Sequence, residues 1–104
     1  MFNIFKNLPH TAAAEEDFYT LFQNEQVHIE RIVSRGQSSP EGFWYRQERG
    51  EWVVLLQGSA TLEYEDGTTQ QLIGGDSIYI APLKAHRVAA TSAEPPCIWL
   101  AVHC

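Results

Sequence analysis

The sequence has few basic residues, few cysteines and no long apolar run. Lysine and arginine together number 7 of 104 residues against 13 acidic ones, which gives a formal net charge of −6. The basic residues stand singly, so no positive stripe is available to neutralise phosphates. We therefore expect neither nucleic acid nor an anionic membrane surface as a partner. Apolar runs such as Trp52 to Leu56 are too short to span a bilayer.

The N-terminal segment and the cysteines favour a cytoplasmic protein. The first ten residues, MFNIFKNLPH, contain no continuous apolar stretch of the kind found in signal peptides. The only cysteines are Cys97 and Cys104. If both lie on one extended strand they are about 23 Å apart, whereas a disulfide requires Cα atoms within about 7 Å. Both thiols are therefore expected to be reduced, with Cys97 packed as a small hydrophobic residue.

A hydrophobic fraction of 44% in 104 residues indicates one domain with one core. Residues 28–104 are expected to form a β-barrel, and residues 1–27 a helix and lead-in. The helix is predicted over Thr11 to Phe22, with Thr11 as N-cap and an apolar face of Phe18, Leu21 and Phe22.

From about residue 28 onward, strand patterns dominate. Ser59 to Glu65 alternates apolar and polar residues, and an Asp-Gly turn follows it. The remaining strands predicted after that turn are Thr69 to Ile73, Ser77 to Ala81, His86 to Thr91 and Cys97 to His103. Many short strands with regular turns are typical of a sandwich or barrel. The run Trp52 to Leu56 is apolar on both faces, so both faces should be covered. One face would look into the barrel, and the other would meet the second sheet, the N-terminal segment or another subunit. Of these we prefer another subunit, in a homodimer.

Two segments resemble the two motifs of the cupin family. Glu51 stands seven residues before Gly58 across a hydrophobic strand, and a Gly75-Asp76 turn stands eleven residues before His86. The resemblance covers about residues 42–91. It implies a small single-domain cupin: an all-β, double-stranded β-helix (jelly-roll barrel) with one short N-terminal helix. It also implies that Glu51 and His86 are two of four metal ligands inside the barrel.

The family's His-x-His is missing from the first motif, where this chain has Phe43-Trp44-Tyr45-Arg46-Gln47. Depending on strand register, its two positions fall on Tyr45 and Gln47 or on Trp44 and Arg46. In the second motif Leu83 stands in place of a family glycine. With Gln47, Glu51 and His86 as ligands, the site would be a mixed N/O centre suited to Fe, Mn, Ni or Zn.

The same residues allow more than one function. Glu51 and His86 are the candidate catalytic pair, because a carboxylate beside an imidazole can act as acid or base near neutral pH. The candidate ligand-binding residues are Trp44, Tyr45, Arg46 and Tyr79. The main hypothesis is a small polar molecule bound in the barrel, with a weak divalent metal. The alternatives are a metal-dependent enzyme of dioxygenase or isomerase type and a purely structural dimer.

The other histidines have no partner at metal-ligand spacing in the sequence. His10, His28 and His103 are therefore predicted to be surface residues.

Overall fold

The computed structural model describes residues 1–8 and 16–104, and the described residues form eight β-strands. The strands are β1 (Asp17–Gln23), β2 (His28–Ser34), β3 (Glu51–Gln57), β4 (Ser59–Tyr64), β5 (Thr69–Ile73), β6 (Ser77–Ile80), β7 (His86–Thr91) and β8 (Cys97–His103). The all-β jelly roll predicted from the sequence is confirmed. The predicted bounds of β5, β7 and β8 agree with the structure.

The strands form two antiparallel sheets. One has five strands in the order β1-β2-β8-β3-β6, and the other has three in the order β5-β4-β7. β8 is the middle strand of the larger sheet and pairs with β2 on one side and β3 on the other. The chain crosses between sheets at Gly58, the single residue between β3 and β4.

The core lies between the sheets and follows the two-residue period of the strands. In β3, Glu51, Val53 and Leu55 point inward and are buried, whereas Trp52 points outward and is 39% exposed. The buried core consists of Val53, Leu55, Ala60, Leu62, Leu72, Ile80, Cys97, Trp99 and Ala101. Within one chain the outer face of β3 is thus only partly covered. The homodimer stays a prediction, because the structure describes a single chain.

The predicted N-terminal helix is wrong wherever the structure describes it. Residues 17–22 belong to β1, an edge strand paired antiparallel with β2 from Asp17 opposite Val33 to Gln23 opposite His28. Phe18, Tyr19 and Thr20 favour strands, and pairing with β2 outweighs the helical spacing of the aromatic residues. The first part of that prediction, residues 11–15, lies outside the described residues.

Both cysteines are free, as expected: Cys97 is fully buried and Cys104 is exposed. In the described ranges, 1–8 and 16–104, no helix is long and apolar enough to cross a membrane.

Candidate functional site

A cavity of about 90 Å³ lies between the two sheets. Its polar lining consists of three carboxylates, two imidazoles, an amide and a phenol, contributed by Glu16, Glu30, Glu51, His86, His103, Gln47 and Tyr45. Apolar side chains that include Trp99 and Val53 complete the wall. Among the described residues that line it, none is a lysine or an arginine. The cavity is therefore suited to a cation or a neutral polar group.

Glu51 and His86 face each other across this cavity. Glu51 begins β3 and His86 begins β7, so the pair joins the two sheets. Glu51 Oε1 lies 3.8 Å from His86 Nε2, and both side chains are buried. His86 Nδ1 donates a hydrogen bond of 2.9 Å to the carbonyl oxygen of Lys84. Since a carbonyl can only accept, Nδ1 carries the proton, and in the neutral ring the Nε2 lone pair is left facing Glu51.

The strand register places Tyr45 and Gln47 at the cavity. Tyr45 exchanges two backbone hydrogen bonds with His86, of 2.7 and 3.0 Å, and the two rings stack with centroids 5.8 Å apart. Gln47 is fixed by its carbonyl oxygen, which accepts a 2.6 Å hydrogen bond from the backbone N–H of Leu83. Both residues where the family has histidine therefore line the cavity, and neither is a histidine.

The other three candidate ligand-binding residues lie away from the cavity. Arg46 is exposed and forms an ion pair of 3.1 Å with Glu65. Tyr79 is 56% exposed on the outer face of the large sheet, where it stands opposite Trp52. Trp44 is half-buried and is not part of the cavity lining. The structure therefore does not bring Trp44, Arg46 or Tyr79 together with Glu51 and His86.

A second polar group, which was not predicted from the sequence, lies at the same end of the barrel. The β2–β8 register sets His28 opposite His103, and Glu30 lies two residues further along β2 on the same face. His103 Nε2 is 2.9 Å from Glu30 Oε1, and His28 Nε2 is 3.8 Å from Glu30 Oε2. The prediction that His28 and His103 are surface residues is therefore wrong: both are partly buried and contact Glu30. His10 lies outside the described residues.

A signal for this group was present in the strand patterns. His28 and Glu30 alternate on β2, which is otherwise rich in apolar residues, and His103 continues the inward face of β8 beyond Trp99 and Ala101. What the sequence alone did not give was the pairing of β2 with β8, whose residues are far apart along the chain.

Burial and neighbouring charges shift the ionisation of these groups. Burial raises the pKa of Glu51, and His103 and His86 offset only part of that rise. Burial likewise raises the pKa of Glu16, despite the hydrogen bond that its carboxylate accepts from Ser34. The hydrogen bond to Glu30 raises the pKa of His103. Two of the three carboxylates therefore lack full compensation of their charge by the protein, which is the electrostatic setting in which a bound cation is favourable.

Comparison with known proteins gives one family match. The family model described as a cupin domain matches residues 29–103. No curated protein matches the chain significantly.

Solved structures share the fold over nearly the whole chain. A candidate mannose-6-phosphate isomerase from Ralstonia eutropha JMP134 is 40% identical, with 100% of this chain and 96% of that chain covered and a TM-score of 0.93. A cupin superfamily protein from Desulfitobacterium hafniense DCB-2 is 17% identical over 91% and 82% of the two chains, with a TM-score of 0.75. A conserved protein with a double-stranded β-helix domain from Klebsiella pneumoniae is 16% identical over 99% and 87%, with a TM-score of 0.78.

Proposed function

This chain belongs to the cupin family, and we propose that its barrel binds a small polar molecule beside a weakly held divalent transition metal at Glu51 and His86. The observation that carries the proposal is the cavity between the two sheets, in which these two side chains face each other at 3.8 Å. A buried carboxylate is costly without a partner, and the protonated Nδ1 of His86 leaves its Nε2 free to donate electrons.

The donor set fits a metal ion of modest affinity. Two ligand atoms that each lie about 2.0–2.2 Å from one metal ion can be up to roughly twice that distance apart. The 3.8 Å between Glu51 Oε1 and His86 Nε2 falls within this limit. Gln47 and Tyr45 stand at the cavity wall to complete a mixed N/O set, which suits Fe, Mn, Ni or Zn. A bound ion would act as a Lewis acid on a carbonyl or hydroxyl oxygen. The role of the protein's own groups is to orient that oxygen and to exclude water.

The volume of the cavity limits the size of the enclosed group. A volume of about 90 Å³ is well below the roughly 300–1,000 Å³ of sites that enclose a drug-sized ligand. The cavity therefore has room for the reacting end of a ligand, and the remainder of a larger ligand would lie in the mouth. The open depression next to the cavity, which includes Arg49 and Glu48, is the surface available for it.

Hydroxyacetone, a neutral molecule with adjacent hydroxyl and carbonyl groups, is a suitable probe of the cavity. In the presence of Zn²⁺, we expect saturable NMR shifts of cavity residues in the wild-type chain. Glu51→Gln and His86→Ala should each weaken binding by at least about tenfold, the cost of one lost charged hydrogen bond. Glu65→Gln, which removes an exposed carboxylate paired with Arg46, is the matched control and should bind normally. Non-saturating shifts spread over the surface, or normal binding by both cavity variants, would contradict the proposal.

An aldose–ketose isomerase is the second candidate, since the 40% identical structure is a candidate mannose-6-phosphate isomerase. Glu51 supports it because burial raises its pKa towards the range useful for proton transfer. Arg49, in the mouth depression, is the cation available to a phosphate. If this candidate is right, the metal-loaded chain interconverts mannose 6-phosphate and fructose 6-phosphate, followed by ¹³C NMR. Glu51→Gln should then lower the rate by about 100-fold or more, at the low end of general base contributions. Absence of conversion by the loaded wild type would exclude this reaction.

A further inference from the structure

Three side chains at the mouth of the barrel form a donor set that contains neither Glu51 nor His86, although two of its members, Glu30 and His103, also line the cavity. His28 and His103 belong to the adjacent strands β2 and β8, with their ring centroids 5.5 Å apart, and the carboxylate of Glu30 contacts both rings. One nitrogen from each ring and one carboxylate oxygen all lie within 4.8 Å of one another. The two oxygens of Glu30 are divided between the rings, with Oε1 towards His103 and Oε2 towards His28.

We propose that His28, Glu30 and His103 form a second site for a divalent transition metal, of higher affinity than Glu51 and His86. Two imidazoles and one carboxylate are the protein ligands of catalytic zinc sites and of non-haem Fe(II) sites that keep coordination positions open. This site supplies two imidazoles, the number missing from the first cupin motif, but from different strands. It goes beyond the proposed ligand-binding function and does not depend on it.

The contacts of the metal-free group show what an ion would replace. His103 Nε2 is within hydrogen-bond distance of Glu30, and His28 Nε2 is 3.0 Å from the hydroxyl of Thr20. Each Nε2 therefore has a polar partner without the ion, and Thr20 can turn its hydroxyl because it is exposed. A metal ion could replace the proton between His103 Nε2 and Glu30. All three donors could then bind it with little movement of the backbone.

The three donor side chains differ in solvent exposure, as expected for a metal site that is open on one side. The side chains of Glu30, His103 and His28 are 11%, 14% and 25% exposed, respectively. All three line the open depression that also includes Gln47, Glu48 and Arg49. Arg49 carries the positive charge in this depression, and its Nη2 donates a hydrogen bond of 2.9 Å to the carbonyl oxygen of Glu25. Glu48 in the depression and Glu51 beside His103 oppose its effect on a cation.

Zinc affinity, measured by competition with a chromophoric chelator on chelator-stripped protein, tests the site directly. Wild type should bind Zn²⁺, and His28→Ala, Glu30→Gln and His103→Ala should each lower the affinity of the tightest site by more than about 100-fold. That figure exceeds the 10- to 100-fold cost of losing only an outer-shell partner. His86→Ala is the matched histidine control and should change the affinity of that site by less than about threefold.

A spectroscopic readout separates direct ligation from a structural effect. Bound Co²⁺ should give a visible absorption spectrum in wild type and in His86→Ala, and this spectrum should be lost in His28→Ala. His28 is the most exposed donor, so its substitution should preserve the fold, checked by circular dichroism, even if Glu30→Gln or His103→Ala does not. A tightest site that is lost in His86→Ala and kept in His28→Ala would overturn the inference and leave the Glu51–His86 proposal standing. No zinc binding at about 100 µM by wild type would also overturn it.

Discussion

Replacing Trp99 by alanine is expected to lower the free energy of unfolding by about 3–5 kcal/mol. Trp99 lies on the middle strand of the large sheet, is 3% exposed and forms part of the cavity wall. Its indole Nε1 donates a 3.1 Å hydrogen bond to Ser34, which is fully buried. Alanine would leave a void that neighbouring side chains cannot fill, and it would remove one of the hydrogen bonds of Ser34.

Trp52→Ala is the control for this substitution, because it removes the same side chain from the outer face of a neighbouring strand. Trp52 is 39% exposed in the single chain, and its loss should cost the monomer about 1 kcal/mol. Urea unfolding followed by far-UV circular dichroism suits both variants, since each substitution removes a fluorophore. Equal losses would contradict the placement of Trp99 in the core and of Trp52 at the surface.

Gly58→Ala is expected to cost about 2–5 kcal/mol, from two separate causes. Gly58 has φ of +98°, a conformation that costs a residue with a Cβ about 1–2 kcal/mol. A Cβ there would also lie 2.9 Å from the Cα and Sγ of Cys97 and from Oγ of Ser92. The Cα of Cys97 is backbone at the start of β8 and cannot move without shifting that strand, so overpacking adds about 1–3 kcal/mol.

Gly67→Ala separates the two causes. Gly67 has φ of +90°, close to that of Gly58, but a Cβ there meets nothing within 4 Å. This control should therefore lose only about 1–2 kcal/mol, from backbone conformation. The difference between the two variants in chemical denaturation measures the crowding at Gly58. If Gly67→Ala were as damaging as Gly58→Ala, the close approach of β8 to this crossing would be contradicted.

Gly58 also explains why motif spacing predicted the fold well. The interval from Glu51 to Gly58 covers β3, whose alternate residues point inward, and ends where the chain must turn sharply into the second sheet. The strands after Gly58 were predictable because the period of two and the turn residues agreed at each step. Leu83 is a different case: it stands in place of a family glycine and adopts φ of +64°. Leu83 therefore holds a left-handed conformation that glycine adopts more easily.

The failed predictions have a common physical cause: the residues of a strand do not show which distant strand it will pair with. β1 contains a helix-like spacing of aromatic residues, and only the presence of β2 makes it a strand. Glu51 and His86 could be paired by motif spacing. His103 and Glu30 are 73 residues apart, and nothing local to either indicates the other. The choice of Tyr45 and Gln47 over Trp44 and Arg46 likewise depended on the bridge between Tyr45 and His86.

The central position of β8 also constrains the order in which the fold can be completed during synthesis. Once residue 91 has been made, seven of the eight strands exist, yet β2 and β3 have no strand between them. The larger sheet is then present only as two separate pairs, β1 with β2 and β3 with β6. Residues 97–103 join those pairs by lying between them, so the larger sheet of the barrel can be completed only after these residues have been translated.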